Sequence, residues 1–149
     1  GHTVHVVMSR AAENFVRPLA FSAMTHQPVL TNEAWWEAEG AASHLRVSEE
    51  ADLLVVAPCT ANLIGKFAHG IADEIVSTTY LGATCPVLIA PAMNQRMWAA
   101  KRVEANMAQL RADGVHVVGP GAGHLAEGDK GPGRMCEPAE ILAAIAEAL

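Results

Sequence analysis

Short apolar runs alternate with longer amphipathic stretches along this chain. Residues 52–57 read Asp-Leu-Leu-Val-Val-Ala, and residues 86–90 read Pro-Val-Leu-Ile-Ala. A short β-branched run bounded by breakers predicts a strand buried on both faces. Val4 to Met8 and Val115 to Val118 predict two further strands, and Pro28 to Leu30 a short one. Helical patterning covers Arg10 to Phe15 with Pro18 to Met24, Ala61 to His69, Ile71 to Leu81, and Ala99 to Ala112, with Gly70 separating the middle pair. The Ala-rich stretch Pro138 to Leu149 predicts a closing helix with Ile141, Leu142 and Ile145 on its inner face. Strands alternating with helices define an α/β protein built on a parallel sheet. No repeat or linker interrupts residues 1–149, so one domain is expected.

Chemistry gathers where two of the strands end. In open α/β sheets, ligands bind outside the carboxyl ends of the strands. The 86–90 run leads into Pro91-Ala92-Met93-Asn94-Gln95-Arg96-Met97-Trp98, which sets one amide between two Met and a Trp. An amide in apolar walls suits the fixed holding of a small polar group such as a carboxylate. The plain alternative is a helix N-terminus capped by Asn94, with Met97 and Trp98 in the core. The 52–57 run leads into Pro58-Cys59-Thr60, where Thr60 is placed to cap the next helix. Donors at such a helix start can also serve a cofactor. Gly119 to Gly133 holds six of the twelve glycines and lacks the phosphate-loop pattern. A long Gly/Pro segment after a strand is expected to be a flap that covers a ligand, rather than a plain connection.

Composition narrows the class. The net charge of −6 comes with no Lys/Arg cluster, which excludes a nucleic-acid surface. No apolar run has the length of a membrane span and no signal peptide opens the chain, so a cytoplasmic protein is expected. Cys59, Cys85 and Cys136 are odd in number and scattered, and read as reduced thiols. The seven histidines share no metal-ligand spacing, so no metal is expected.

The string Pro91-x-Met93-Asn94-x-x-Met97-Trp98 resembles the substrate-recognition motif of the flavin-dependent cysteine decarboxylases. That family includes phosphopantothenoylcysteine decarboxylases of coenzyme A synthesis and lantibiotic peptidyl-cysteine decarboxylases. Residues 57–66, Gly70-Ile71-Ala72-Asp73-Glu74 and Gly131-Pro132-Gly133-Arg134-Met135 match it in the same order, so the resemblance covers nearly the whole chain. The Met93-Asn94 string argues against a flavin prenyltransferase, which shares the general fold. The resemblance implies a Rossmann-like, doubly wound parallel sheet of flavoprotein type. The family's first strand and its phosphate-binding turn have no counterpart here, so an N-terminally incomplete domain is expected.

By the same resemblance the cofactor is FMN, held by Ser9, Thr60, Ala61, Asn62, Leu63 and Ala92. His44 takes the place of the catalytic general base, a task for which imidazole is suited by a pKa near neutrality. Asn94 is the catalytic amide that grips the substrate carboxylate, with Met97, His124, Leu125 and Ala126 completing the substrate site. The family also implies homotrimers, or larger assemblies of them, with flavin at a subunit interface. Trp35 and Trp36 are expected at that interface, because adjacent helical residues cannot both face one core stripe.

These residue types belong to one chemistry. A cysteine side chain offers no sink for the electrons left by departing CO2 until its Cβ–S unit becomes a thioaldehyde. Flavin can remove the required hydride, which explains a redox cofactor in a decarboxylase. Coenzyme A-pathway members commonly carry Leu-Ala-Cys-Gly-Asp in the flap, whereas this chain reads Leu125-Ala126-Glu127-Gly128-Asp129. Glu127 is the favoured replacement proton donor, with Cys136 as an alternative. Three readings follow: a phosphopantothenoylcysteine decarboxylase, alone or fused to a phosphopantothenate-cysteine ligase domain; a peptidyl-cysteine oxidative decarboxylase; or a flavin-binding regulatory subunit without turnover.

Overall fold

The structure, a computed structural model, describes residues 1–36, 47, 49–124 and 130–149. In chain order the elements are β1 (Val6–Val7), α1 (Pro18–Thr25), β2 (Val29–Leu30), β3 (Leu54–Cys59), α2 (Ala61–Ala68), α3 (Ile75–Gly82), β4 (Val87–Pro91), α4 (Gln95–Trp98), α5 (Lys101–Ala112), β5 (His116–Val117), β6 (Gly121–His124), β7 (Lys130–Arg134) and α6 (Pro138–Ala148). Single 3-10 turns occur at Ala12–Asn14 and Ala34–Trp36. The chain divides into two compact units, Gly1–Ala51 with Ile71–Thr84, and Asp52–Gly70 with Cys85–Leu149.

In the first unit, β1 and β2 pair in parallel, Val6 opposite Val29 and Val7 opposite Leu30. The expected first strand from Val4 to Met8 shrinks to two residues, because β2 offers only two partners. The expected helix over Arg10 to Phe15 is a 3-10 turn instead. Ser9 Oγ accepts the Ala12 N–H at 3.2 Å, a local bond that competes with continued α-helix. Helix α1 opens on Pro18, whose missing N–H costs nothing at a first position, and closes at His26 in the left-handed region. Helix α3 starts at Ile75, four residues after the expected Ile71. Its start is fixed by a reciprocal capping box between Glu74 and Ser77 and by Asn32, whose Oδ1 accepts the Ile75 N–H at 3.0 Å.

The second unit is built on the parallel sheet β3-β4-β5, with Val56 opposite Ile89 and Ile89 opposite Val117. The two apolar runs of the sequence are its neighbouring strands β3 and β4. Leu88, Ile89, Ala90 and Pro91 are buried, as a strand covered on both faces requires. Helix α2 turns Leu63, Ile64 and Phe67 inward, and α5 turns Asn106, Met107 and Leu110 inward. The two helices pack against each other. Each fully buried Ile or Leu is worth roughly 1.5–3 kcal/mol over exposure. Helix α6 packs on β4, where Ile141 joins Ala90 and Cys136 and Ile145 packs against them. Leu142, expected on the same inner face, is 65% exposed. The covered stripe of α6 runs through Ile141, Ala144, Ile145 and Ala148 and leaves Leu142 outside it. Among the described residues, no helix is long and apolar enough to cross a membrane.

Candidate active site

Strands β3 and β4 end side by side, and that edge positions both turns singled out in the sequence. The register slips between Val56 and Cys59, so that Cys59 lies opposite Pro91. Beyond the last rung, the Ala92 N–H donates to the Cys59 carbonyl at 3.0 Å. The segment 60–63 and the turn 92–94 therefore leave one sheet edge tied to each other. Ala57 and Pro58 are exposed there, although the strand was expected to be buried throughout. The carboxyl end of β3 is where the sheet opens to solvent.

Thr60 is the helix cap expected of it: its Oγ1 accepts the Leu63 N–H at 3.4 Å. The Leu63 side chain is buried, so this residue anchors the turn. The first N–H groups of α2, at Ala61 and Asn62, have no carbonyl partner within the helix. They give the turn donors for an acceptor-rich ring, and Ala61 and Ala92 are small enough to let a flat group lie close. Cys59 beneath the turn is fully buried, and burial pushes its thiol up to about 12 from 9.0. It is a neutral wall rather than a nucleophile.

Asn94 caps the four-residue helix α4, with its Oδ1 accepting the Arg96 N–H at 2.7 Å. That bond holds the amide oxygen at the start of the helix. The plain capping alternative thus holds for Asn94. It does not extend to Met97, which is 48% exposed and not part of the core. The described ends of the Gly-rich segment carry β6 and β7, which pair antiparallel with Gly123 opposite Gly131 and His124 opposite Lys130. Its second strand lies on the Asn94 turn: the Met93 N–H donates to the Gly133 carbonyl at 2.8 Å. The sequence reading missed this contact, although the paired glycines of Gly131-Pro132-Gly133 were its available signal.

His44, Leu125, Ala126 and Glu127 lie outside the described residues, and for His124 only the backbone is described. Ser9 belongs to the first unit and its Oγ is engaged by the Ala12 N–H. Cys136 is 2% exposed in the α6 core, with its Sγ 3.7 Å from the Val118 carbonyl. Burial, then the charge of Glu140, pushes its thiol up. Delivering a proton from Cys136 would require it to leave that core. Trp35 and Trp36 stack on one another with centroids 5.0 Å apart, and Trp36 is 76% exposed.

A parallel α/β sheet with two linked turns at its carboxyl edge, one rich in N–H donors and one presenting an amide, defines a ligand-binding protein of the Rossmann-like class. The chain belongs to the Flavoprotein family, whose model matches residues 1–149. It is 44% identical over 142 residues to the coenzyme A biosynthesis bifunctional protein CoaBC of Bacillus subtilis, covering 95% of this chain and 35% of that protein. The CoaBC of Escherichia coli K12 is 40% identical, with 95% of this chain and 35% of the relative covered. The chain thus spans about a third of the length of these curated relatives. Among solved structures, a PPC decarboxylase variant complexed with pantothenoylaminoethenethiol superposes with a TM-score of 0.87 at 29% identity, covering 97% of this chain and 82% of the other. The FMN-dependent cysteine decarboxylase TvaF, from thioviridamide biosynthesis, superposes at 0.78 with 35% identity, over 98% of this chain and 78% of its own.

Proposed function

We propose that this chain is the decarboxylase part of a coenzyme A-synthesising flavoprotein. It converts the cysteine moiety of 4'-phosphopantothenoylcysteine to 4'-phosphopantetheine with FMN as cofactor, acts in the cytoplasm as a homotrimer or larger assembly, and is fused to a phosphopantothenate-cysteine ligase domain. The observation that supports the reading is the Ala92-to-Cys59 bond, which ties the segment leading to Asn94 to the end of β3, directly before the donor-rich turn. The donors of Ala61 and Asn62 and the small side chain of Ala92 fit a flavin ring, with Thr60 and Leu63 holding the turn and Ser9 serving the phosphate side.

FMN, when bound, would supply a hydride acceptor and donor, so that the net change would be loss of CO2 and gain of a proton. The chain's own residues do the rest. His44 takes the thiol proton as general base, and the Asn94 amide holds the carboxylate in line for departure. Glu127 gives a proton to the product carbon as the saturated thiol forms. Met97, His124, Leu125 and Ala126 enclose the substrate.

A second reading is favoured by one observation: the peptide-pathway enzyme TvaF shares 35% identity with this chain, against 29% for the PPC decarboxylase. Product analysis by mass spectrometry with phosphopantothenoylcysteine and with a Cys-terminated peptide separates the readings. Saturated 4'-phosphopantetheine is expected from the first substrate. An enethiol formed only from the peptide would overturn the proposal, and no turnover of either would point to a regulatory subunit. Asn94→Asp should lower turnover by about 100-fold or more through repulsion of the carboxylate, with flavin absorbance retained.

A further inference from the structure

The Asn94 turn is only as well placed as the surface under it, and that surface is bare backbone. Gly133 of β7 is buried at φ 135°, in a region that residues with a Cβ rarely adopt. A Cβ on Gly133 would overlap the carbonyl oxygen of Met93 and stand 3.4 Å from both the Asn94 carbonyl carbon and the Gln95 nitrogen. Two residues earlier, a Cβ on Gly131 would overlap Gln95 Oε1 and stand 3.0 Å from its Cδ. Residues two apart on a strand share a face. Gly131 and Gly133 thus present one side chain-free face, on which residues 93–95 rest through the Met93-to-Gly133 bond. Across the β6-β7 pair, Gly131 lies opposite Gly123, so the strand opposite is also bare at that rung.

We propose that Gly131 and Gly133 are positioning residues that seat the Met93–Gln95 turn and so set where the Asn94 amide meets the substrate carboxylate. The proposal rests on the reading of Asn94 as the carboxylate partner. The two glycines act through different neighbours, and that difference makes the proposal testable. At Gly131 the obstacle is the far end of a flexible side chain, whereas at Gly133 it is backbone that cannot be trimmed away.

The experiment measures kcat and KM for phosphopantothenoylcysteine in the FMN-loaded, full-length protein. The variants are Gly131→Ala, Gly133→Ala, Gln95→Ala and the Gly131→Ala/Gln95→Ala pair, with flavin absorbance and Tm recorded for each. Gly131→Ala is expected to raise KM about tenfold or more, with kcat changed less and flavin binding kept. In the Gln95→Ala background the same change should cost less than about threefold, since the overlapping atoms are gone. Gly133→Ala should not be rescued by Gln95→Ala. If Gly133→Ala does not fold, the Gly131 and Gln95 cycle still decides. Parental KM for Gly131→Ala, an equal penalty in both backgrounds, or a loss that follows Tm and flavin content would each overturn the proposal. Parental turnover by Asn94→Asp would instead remove the underlying role of Asn94, so the two failures are told apart.

Discussion

At the scale of single residues, Cys59 shows how burial decides what a group can do. Its thiol ends β3 directly before the donor-rich turn, a position that would suit a nucleophile. Yet it is fully buried and pushed up to about 12. The sign of the resulting pH dependence follows from which state binds the proton. Above pH 9 the unfolded chain loses the thiol proton while the folded chain keeps it, so stability falls as pH rises toward 12. The slope is about 1.4 kcal/mol per pH unit for one proton. Chemical denaturation between pH 8 and about 10.5 should show a shallower loss for Cys59→Ala than for the parent. Equal slopes would show that Cys59 ionises freely in the fold. Cys136 is shifted in the same direction and contributes to the parent's slope as well. Neither thiol is a candidate for easy alkylation, in contrast to the half-buried Cys85.

Among the secondary-structure elements, α3 owes its start to a residue 43 positions away. Asn32 is 5% exposed and its Oδ1 takes the first N–H of the helix, while its Nδ2 has no hydrogen-bond partner among the described residues. Asn32→Ala would leave the Ile75 N–H buried without an acceptor, at a cost of about 1–3 kcal/mol. Urea unfolding should register that loss, and a change below about 0.5 kcal/mol would mean that the helix start is held by the Glu74–Ser77 box alone. The same contact marks the limit of what the sequence could say. β3, β4, α2, α5 and α6 were legible within a few residues, because each buries a periodic apolar face or carries a local cap such as Thr60. The start of α3 depended on Asn32, the 3-10 turn on the Ser9 hydroxyl, and the exposure of Leu142 on how much of α6 the sheet covers. These are long-range or geometric facts without a periodic signature. As helix caps, Asn94 and Thr60 were legible, because capping needs a side-chain acceptor just before the helix and both residue types supply one. The seat made by Gly131 and Gly133 was not, since a glycine's role depends on what approaches it.

Across the whole molecule, the placement of apolar side chains on the surface is uneven. Phe15 is 90% exposed, Leu19 76%, Met24 80% and Trp36 76%, all within the first 36 residues, and α1 has no buried residue. Helix α1 has only Pro18, Phe21, Ser22 and Thr25 half-buried, so its own chain stabilises it little, and isolated helices of this length are marginal in water. Exposed apolar side chains concentrated in one segment mark an interaction surface. A second copy of this chain is the partner that fits the homotrimer in the proposed function, and it would cover α1 without any charged complement. The net charge of −6 opposes self-association at long range, so the apolar surface must outweigh that repulsion, and added salt should favour the assembly. Placing one charge on this surface, as in Leu19→Glu or Met24→Glu, is expected to convert the assembly to monomer while leaving the fold intact. Light scattering after gel filtration reads the mass directly, and circular dichroism checks the fold. A parent that runs as a monomer at micromolar concentration would rule out self-association through α1. An oligomer that survives both substitutions would place the interface elsewhere on the chain.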